Sequence, residues 1–452
     1  MSGEQQVGKA LVDEWAWDAT DNPVPRFVDV AIIGGGIIGC SVAYFLARQN
    51  LAVAVFEKGR IAGEQSGRNW GWVRQQGRSP VELPLMMRSL ELWQELSNDL
   101  REDFGFTQGG CLYLAENAAQ FDELSQWMAV AREHGLDTRL LSTRELGGVL
   151  LGDVGKWAGA LYTASDARAE PSRAVPAIAR GARRAGAHII SNCAVRGIET
   201  AAGRARAVVT EKGVVAAQSV VCAGGAWTRL FCRSLGITVP QLTVLNTVAR
   251  VAPCQALLEG AAWSPSIAIR RRADGGYTIA HGGSSRHSLT PDTFRFATQF
   301  WPALQLGHDS LRLGIGGDFF SALAMPSRWD LDGPSPFERT RVLGPAPETR
   351  VLRQMRTALQ QWFPEIANAA FVETWGGMIE TSPDVLPIIT QADRPAGFYI
   401  ATGFSGHGFG IGPGAGRLVA DLVTGKASHS EVGAFRLSRF FDGTPIRPGP
   451  AI

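Results

Sequence analysis

The stretch Val28-Asp29-Val30-Ala31-Ile32-Ile33-Gly34-Gly35-Gly36-Ile37-Ile38-Gly39 opens as a strand apolar enough for burial on both faces, turns on glycine, and enters a helix at Ile37. Gly34, Gly36 and Gly39 satisfy G-x-G-x-x-G: the first permits the tight turn, the second lets backbone approach a pyrophosphate, and the third lets helix pack on strand. Residues 41–49 continue the helix and residues 53–56 form a second apolar strand ending at Glu57. This βαβ start predicts an α/β fold that binds a dinucleotide. The Glu57 carboxylate, eighteen residues past Gly39, is placed to accept hydrogen bonds from a ribose and disfavours a 2′-phosphate, which leaves FAD or NAD.

Working outward, 452 residues suit two or three domains. A formal charge of +2 and 45% hydrophobic residues describe an ordinary soluble protein with small-molecule partners and no nucleic-acid footprint. No run is long enough to span a membrane, and Glu4, Asp13 and Glu14 precede any apolar stretch, so the expected location is the cytoplasm. Six scattered cysteines without a C-x-x-C pair suggest neither a disulfide framework nor a metal site. Only five of the 44 basic residues are lysine, and none lies between Lys212 and Lys426.

Along the chain, residues 1–27 read as an extended arm. After Glu57 and Lys58 comes a loop, Ser66-Gly67-Arg68-Asn69-Trp70-Gly71-Trp72-Val73-Arg74, whose hydroxyl, amide and glycines suit close approach to phosphates and whose tryptophans could wall a planar ring. Helices are expected at 83–100, 118–134, 171–185 and 349–363, strands at 106–115 and 238–252, a short strand pair at 188–195, and hairpins at 205–221 and 267–282. Residues 288–347 read as helix-poor. A second glycine turn, Ala223-Gly224-Gly225-Ala226-Trp227, follows an apolar strand and should return beside the first. A third, Gly403-Phe404-Ser405-Gly406-His407-Gly408-Phe409-Gly410-Ile411, opens a helix over 414–424 whose N-terminus would face an anion.

With Trp375-Gly376-Gly377 and Ser382-Pro383-Asp384, these three turns resemble the glycine oxidase and D-amino-acid oxidase superfamily of FAD-dependent amine oxidoreductases, in order and over nearly the whole chain. The resemblance implies a Rossmann-like FAD-binding domain (28–100, 158–232 and 367–436) interleaved with a substrate domain on a mixed sheet (101–157 and 233–366), and a tail at 437–452. It implies that Gly34, Gly36, Ile37, Gly39, Glu57 and Lys58 hold the ADP half, that residues 66–71 line the pyrophosphate and flavin, and that Val195 meets the adenine. Ala223, Gly224 and Trp227 would touch the same cofactor, and residues 403–411 would wrap the flavin's pyrimidine end. The FAD should be non-covalent, because Gly377 stands where tethering relatives carry cysteine.

The implied reaction is oxidation of a C–N bond by hydride transfer to the flavin, with dioxygen or a quinone-type acceptor. Missing lysines leave oxidase and dehydrogenase equally open. A nicotinamide dehydrogenase would explain only the first turn, whereas a flavin-binding subunit of a larger complex would carry all three. Apolar Trp70 and Trp72 would favour the neutral amine. Arg272 matches one arginine of the family's carboxylate clamp, but Ile379 stands at the second, so a simple D-amino acid should be a poor substrate unless Arg74 or another arginine compensates, and a secondary or N-substituted amine is expected, with a distal carboxylate reached by Arg272 and its nitrogen near Glu380. His281 and His407 are the candidates for proton transfer.

Overall fold

The computed structural model describes residues 23–307 and 310–449; most of the expected N-terminal arm lies outside them. Phe27–Ile33 takes Gly213–Cys222 on one side and Val53–Phe56 on the other, both parallel, and so sits at the centre of an eight-stranded sheet. The order is Ile388–Gln391, Phe398–Thr402, Gly213–Cys222, Phe27–Ile33, Val53–Phe56, His188–Ile190, with the antiparallel strands Val195–Ala201 and Arg204–Thr210 attached beside Gly213–Cys222. Over residues 30–33 period two divides the central strand: Val30 and Ile32 face a core completed by helices Ile37–Ala47, Pro171–Arg184 and Gly412–Val423, while Ala31 and Ile33 face Leu230, Phe231 and the attached hairpin. Helices cover one face and a helix with a hairpin the other, which explains why these strands are apolar throughout.

The second sheet has ten strands drawn from three separated stretches, 111–163, 242–314 and 371–381. Leu242–Val251 is its long spine, pairing antiparallel with Phe371–Thr381 on one side and with Tyr277–Ala280 and Ser285–Ser288 on the other. Ala261–Trp263 runs parallel to Cys111–Ala115, so the sheet is mixed. Helix Thr349–Trp362 buries Val351, Met355 and Leu359 against one face. No described helix is long and apolar enough to cross a membrane.

Several local expectations are corrected. The strand expected at 106–115 is confined to Cys111–Ala115, and the helix at 118–134 is two helices, Ala118–Gln126 and Met128–Glu133, parted at Trp127. Trp127 turns inward, its indole donating to the Arg78 carbonyl at 3.1 Å. Strands at 188–190 and 195–201 do not pair with each other: the first joins Val53–Phe56 and the second Arg204–Thr210. The stretch at 288–347 holds helices Pro291–Arg295, Ala297–Gly307 and Gly317–Ala324, the first started by a Thr290 capping box with proline in its first turn. Gly159–Thr163 and Phe371–Thr381 hydrogen-bond into the ten-stranded sheet, on the far side of the boundaries drawn at 158 and 367.

Candidate active site

The three glycine turns meet at the carboxyl ends of the central parallel strands. Gly34 has φ +107°, and a Cβ there would overlap the carbonyl oxygen of Ala223, so the first and second turns touch backbone to backbone. Gly39 packs against the Gly34 carbonyl, which fixes the start of helix Ile37–Ala47 on its strand. Between the sheets these turns open a cavity of about 760 Å³, lined by Gly34, Gly36, Ile37, Ala223, Gly224, Gly377, Gly406, Gly408 and Phe409 among others. That volume and backbone-rich wall suit a dinucleotide with a substrate beside it.

One end of the cavity suits adenosine. Glu57 accepts from the Gly35 and Gly59 amides, each at 2.7 Å, so its carboxylate is oriented although burial pushes its pKa up. Lys58 is bonded to Glu64 at 2.7 Å and to two carbonyls, and lies over the Trp227 ring at 4.4 Å; the indole of Trp227 donates to Glu64 in turn. Val195 closes this end. The Lys58 charge is thus committed to organising the wall.

In the middle, Ser66 Oγ accepts from the first amide of helix Ile37–Ala47 at 2.9 Å, and Gly36 faces that hydroxyl. Asn69 folds the loop on itself, donating to the Ser66 carbonyl at 2.7 Å and accepting from the Gly71 amide at 2.7 Å. Arg68 donates to the carbonyls of Gly63 and Gly376, and its own carbonyl receives the Trp375 indole at 2.9 Å. These bonds clamp the loop to the strand that carries Gly377. Gly67 and Gly71 shape the loop from behind the wall, as Gly403, Gly410 and Ile411 shape the third turn; the Gly410 carbonyl is held by Ser89 and Trp93, each at 2.8 Å. Glu380 lines the cavity with burial pushing it up to about 7, and Gln241, Thr402 and the Phe404 amide already occupy its oxygens.

The far end is aromatic and cationic. Trp70 and Trp72 meet edge to face at 5.6 Å, and Tyr113, Trp127 and Trp263 complete the wall. Arg74 lies over Trp72 at 5.9 Å and Tyr113 at 5.4 Å and donates to the Gln76 carbonyl. Its loop is fastened by Asp166, which accepts from the Gln75 and Gln76 amides at 2.7 and 3.2 Å and is pushed up to about 6 by burial. Arg78, 3% exposed, donates to the Arg74 carbonyl at 3.2 Å, and burial lowers it to about 10. Its Nη1 approaches Glu82 at 3.7 Å but makes no hydrogen bond among the described residues. Burial alone would raise the wholly buried Glu82, yet His407 and Arg78 hold it below the usual range; burial first, then Arg78, lowers His407 to about 4. At neutral pH the carboxylate is charged and the imidazole neutral.

The structure therefore brings Trp72, Arg74, Glu380 and His407 to the cavity and leaves Arg272 and His281 out of it. Arg272 stands past the end of Ala268–Arg271, where it pairs with Asp274 at 3.1 Å and approaches Glu170 at 3.7 Å. His281 continues the alternation of Tyr277–Ala280 onto the opposite face, beside Arg350 and Arg353 in a separate depression, while Gly282 and Gly283 reach the cavity. Sequence reasoning missed Arg78, Glu82, Tyr113, Trp127 and Trp263. Only the i, i+4 spacing of Arg78 and Glu82 around Pro80 was there to be noticed.

A family model described as DAO, FAD dependent oxidoreductase, matches residues 29–422. The sarcosine oxidase subunit beta of an Arthrobacter species is 26% identical over 433 residues, covering 93% of both chains. Mouse mitochondrial sarcosine dehydrogenase is 24% identical over 97% of this chain, which spans only 43% of that longer protein. Among solved structures, an L-amino acid deaminase from Proteus myxofaciens in complex with anthranilate superposes with a TM-score of 0.89 and 34% identity, over 94% of this chain and 96% of that one.

Proposed function

From the premise that this chain belongs to the DAO family of FAD-dependent oxidoreductases, we propose that it oxidises the C–N bond of an α-amino acid bearing a bulky apolar group on its carbon or nitrogen. The observation that carries this reading is the far end of the cavity, where Arg74 and a buried Arg78 with an unbonded guanidinium nitrogen lie within an aromatic wall. Bound FAD would supply the oxidant, taking a hydride from the carbon beside the nitrogen. The residues do the rest. Arg74 and Arg78 hold the carboxylate, in place of a clamp that neither Ile379 nor the outlying Arg272 supplies. Trp70, Trp72, Tyr113, Trp127 and Trp263 exclude water and favour the neutral amine over ammonium. The two relatives named for sarcosine and the one named for L-amino acids all support a substrate with a carboxylate near the reacting nitrogen.

The test is anaerobic bleaching of the bound flavin's visible absorbance by a panel of phenylalanine enantiomers, N-methyl amino acids, D-alanine and amines lacking a carboxylate. A bulky apolar amino acid or its N-alkyl derivative should react fastest, and an amine without a carboxylate heading the panel would sink the proposal. Bleaching of the isolated chain would also separate a self-sufficient enzyme from a subunit that needs a partner.

Two smaller results are expected. Acid precipitation should release FAD into the supernatant, because no cysteine follows Cys254 and Gly377 occupies the wall; yellow colour kept in the pellet would contradict this. Arg272→Ala should leave kcat/KM within about threefold while lowering thermal stability modestly, since its partners are Asp274 and Glu170 rather than substrate. A larger change in KM would return Arg272 to the site.

A further inference from the structure

His407 is 5% exposed, lines the cavity, and has both oxygens of Glu82 against its Nδ1, at 2.9 and 3.2 Å. Its Nε2 has no partner among the described residues. Glu82 does not reach the cavity; wholly buried, it stands just before helix Leu83–Asp99, with its carboxylate between His407 and Arg78. A carboxylate can only accept, so the ring nitrogen facing it must carry the hydrogen, and the other nitrogen then keeps its lone pair. We propose that Glu82 is a positioning residue that fixes His407 as the Nδ1–H tautomer, so that Nε2 faces the cavity as the hydrogen-bond acceptor for the substrate's amine. His407, bonded to the Glu82 carboxylate, and Arg78, 3.7 Å from it, then recognise the two ends of the same amino acid. The inference rests on the carboxylate assignment above.

The geometry makes Glu82→Gln a discriminating change. An amide has one oxygen to offer two neighbours, and the positive charge of Arg78, 3.7 Å away, orients it. Its NH2 is left toward His407, which must accept at Nδ1 and carry its hydrogen on Nε2, so the cavity now meets a donor where it met an acceptor. The probes are benzoate, which has a carboxylate alone, and anthranilate, which adds an amine N–H. Calorimetry on the FAD-loaded protein gives their dissociation constants without turnover. Wild type should bind anthranilate roughly tenfold more tightly than benzoate, the effect of one further hydrogen bond. In Glu82→Gln with unchanged FAD content, benzoate should bind as before and the ratio should fall to about one. A ratio near one in wild type, or a ratio kept in Glu82→Gln, overturns the proposal. Failure of wild type to bind either compound strikes the carboxylate assignment and this inference with it. Should Glu82→Gln lose its cofactor, His407→Phe, which keeps a ring of similar shape but withdraws the acceptor, replaces it in the same comparison, with the same two readings.

Discussion

Arg78→Leu should lower kcat/KM for the best amino-acid substrate by roughly 30- to 4,000-fold, the equivalent of about 2 to 5 kcal/mol for a desolvated charge pair losing one partner. The loss should fall mostly on KM, because the carboxylate is held equally in the ground and transition states. The fold should tolerate the change. Glu82 keeps its hydrogen bond from the His407 ring in the variant. A carboxylate-free amine should be oxidised by the variant as slowly as by wild type. If KM for the amino acid moves by less than about threefold, the guanidinium is not the receptor and the proposed substrate class loses its support.

Gly34→Ala should yield protein without bound FAD, if it yields soluble protein at all. Left-handed backbone costs a residue with a Cβ about 1 to 2 kcal/mol, but the larger effect is steric. The new carbon would overlap the Ala223 carbonyl, so the first and second glycine turns must separate and the cavity wall they form comes apart. Gly203→Ala is the control: it has φ +74° and no atom within 4 Å of its would-be Cβ, so it carries the backbone strain without the collision. Cofactor content, read as the absorbance ratio of flavin to protein, should be near zero in the first and normal in the second. Equal FAD in both would mean that contact between the turns is dispensable.

What the sequence made legible is what depends on backbone. Glycine spacing, the apolar runs either side and the acidic residue at a strand end are local patterns, and all three turns line the cavity they suggested. The polar residues of the substrate end were harder to read, because which face a side chain takes depends on where its strand stops. Arg272 lies beyond its strand, in a turn where Asp274 is the nearer partner. His281 is one residue past Ala280, which keeps it on the helix-covered side of the sheet. Alternation from Tyr277 would have found this. Nothing local could have joined Glu82 to His407, 325 positions apart. Trp127, in a stretch that reads as one helix, interrupts it to fill the cavity wall. In 291–324 a capping threonine and a helix-starting proline outweighed the abundance of glycine that suggested a stretch without helices.

Because the two sheets take their strands alternately, a cut anywhere between residues 164 and 241 divides both of them. This bears on how the chain is made. Phe27–Ile33 leaves the ribosome long before its neighbour Gly213–Cys222, and Phe398–Thr402 follows that neighbour by a similar interval, so at about 5 to 20 residues per second the sheet edge stays open for roughly ten to forty seconds at each stage. The spine strand Leu242–Val251 likewise waits for Phe371–Thr381. Neither sheet can be completed on the nascent chain until nearly all of it has emerged, so the growing polypeptide presents apolar strands to chaperones for most of its synthesis, and premature termination releases fragments with exposed strand edges rather than a finished half.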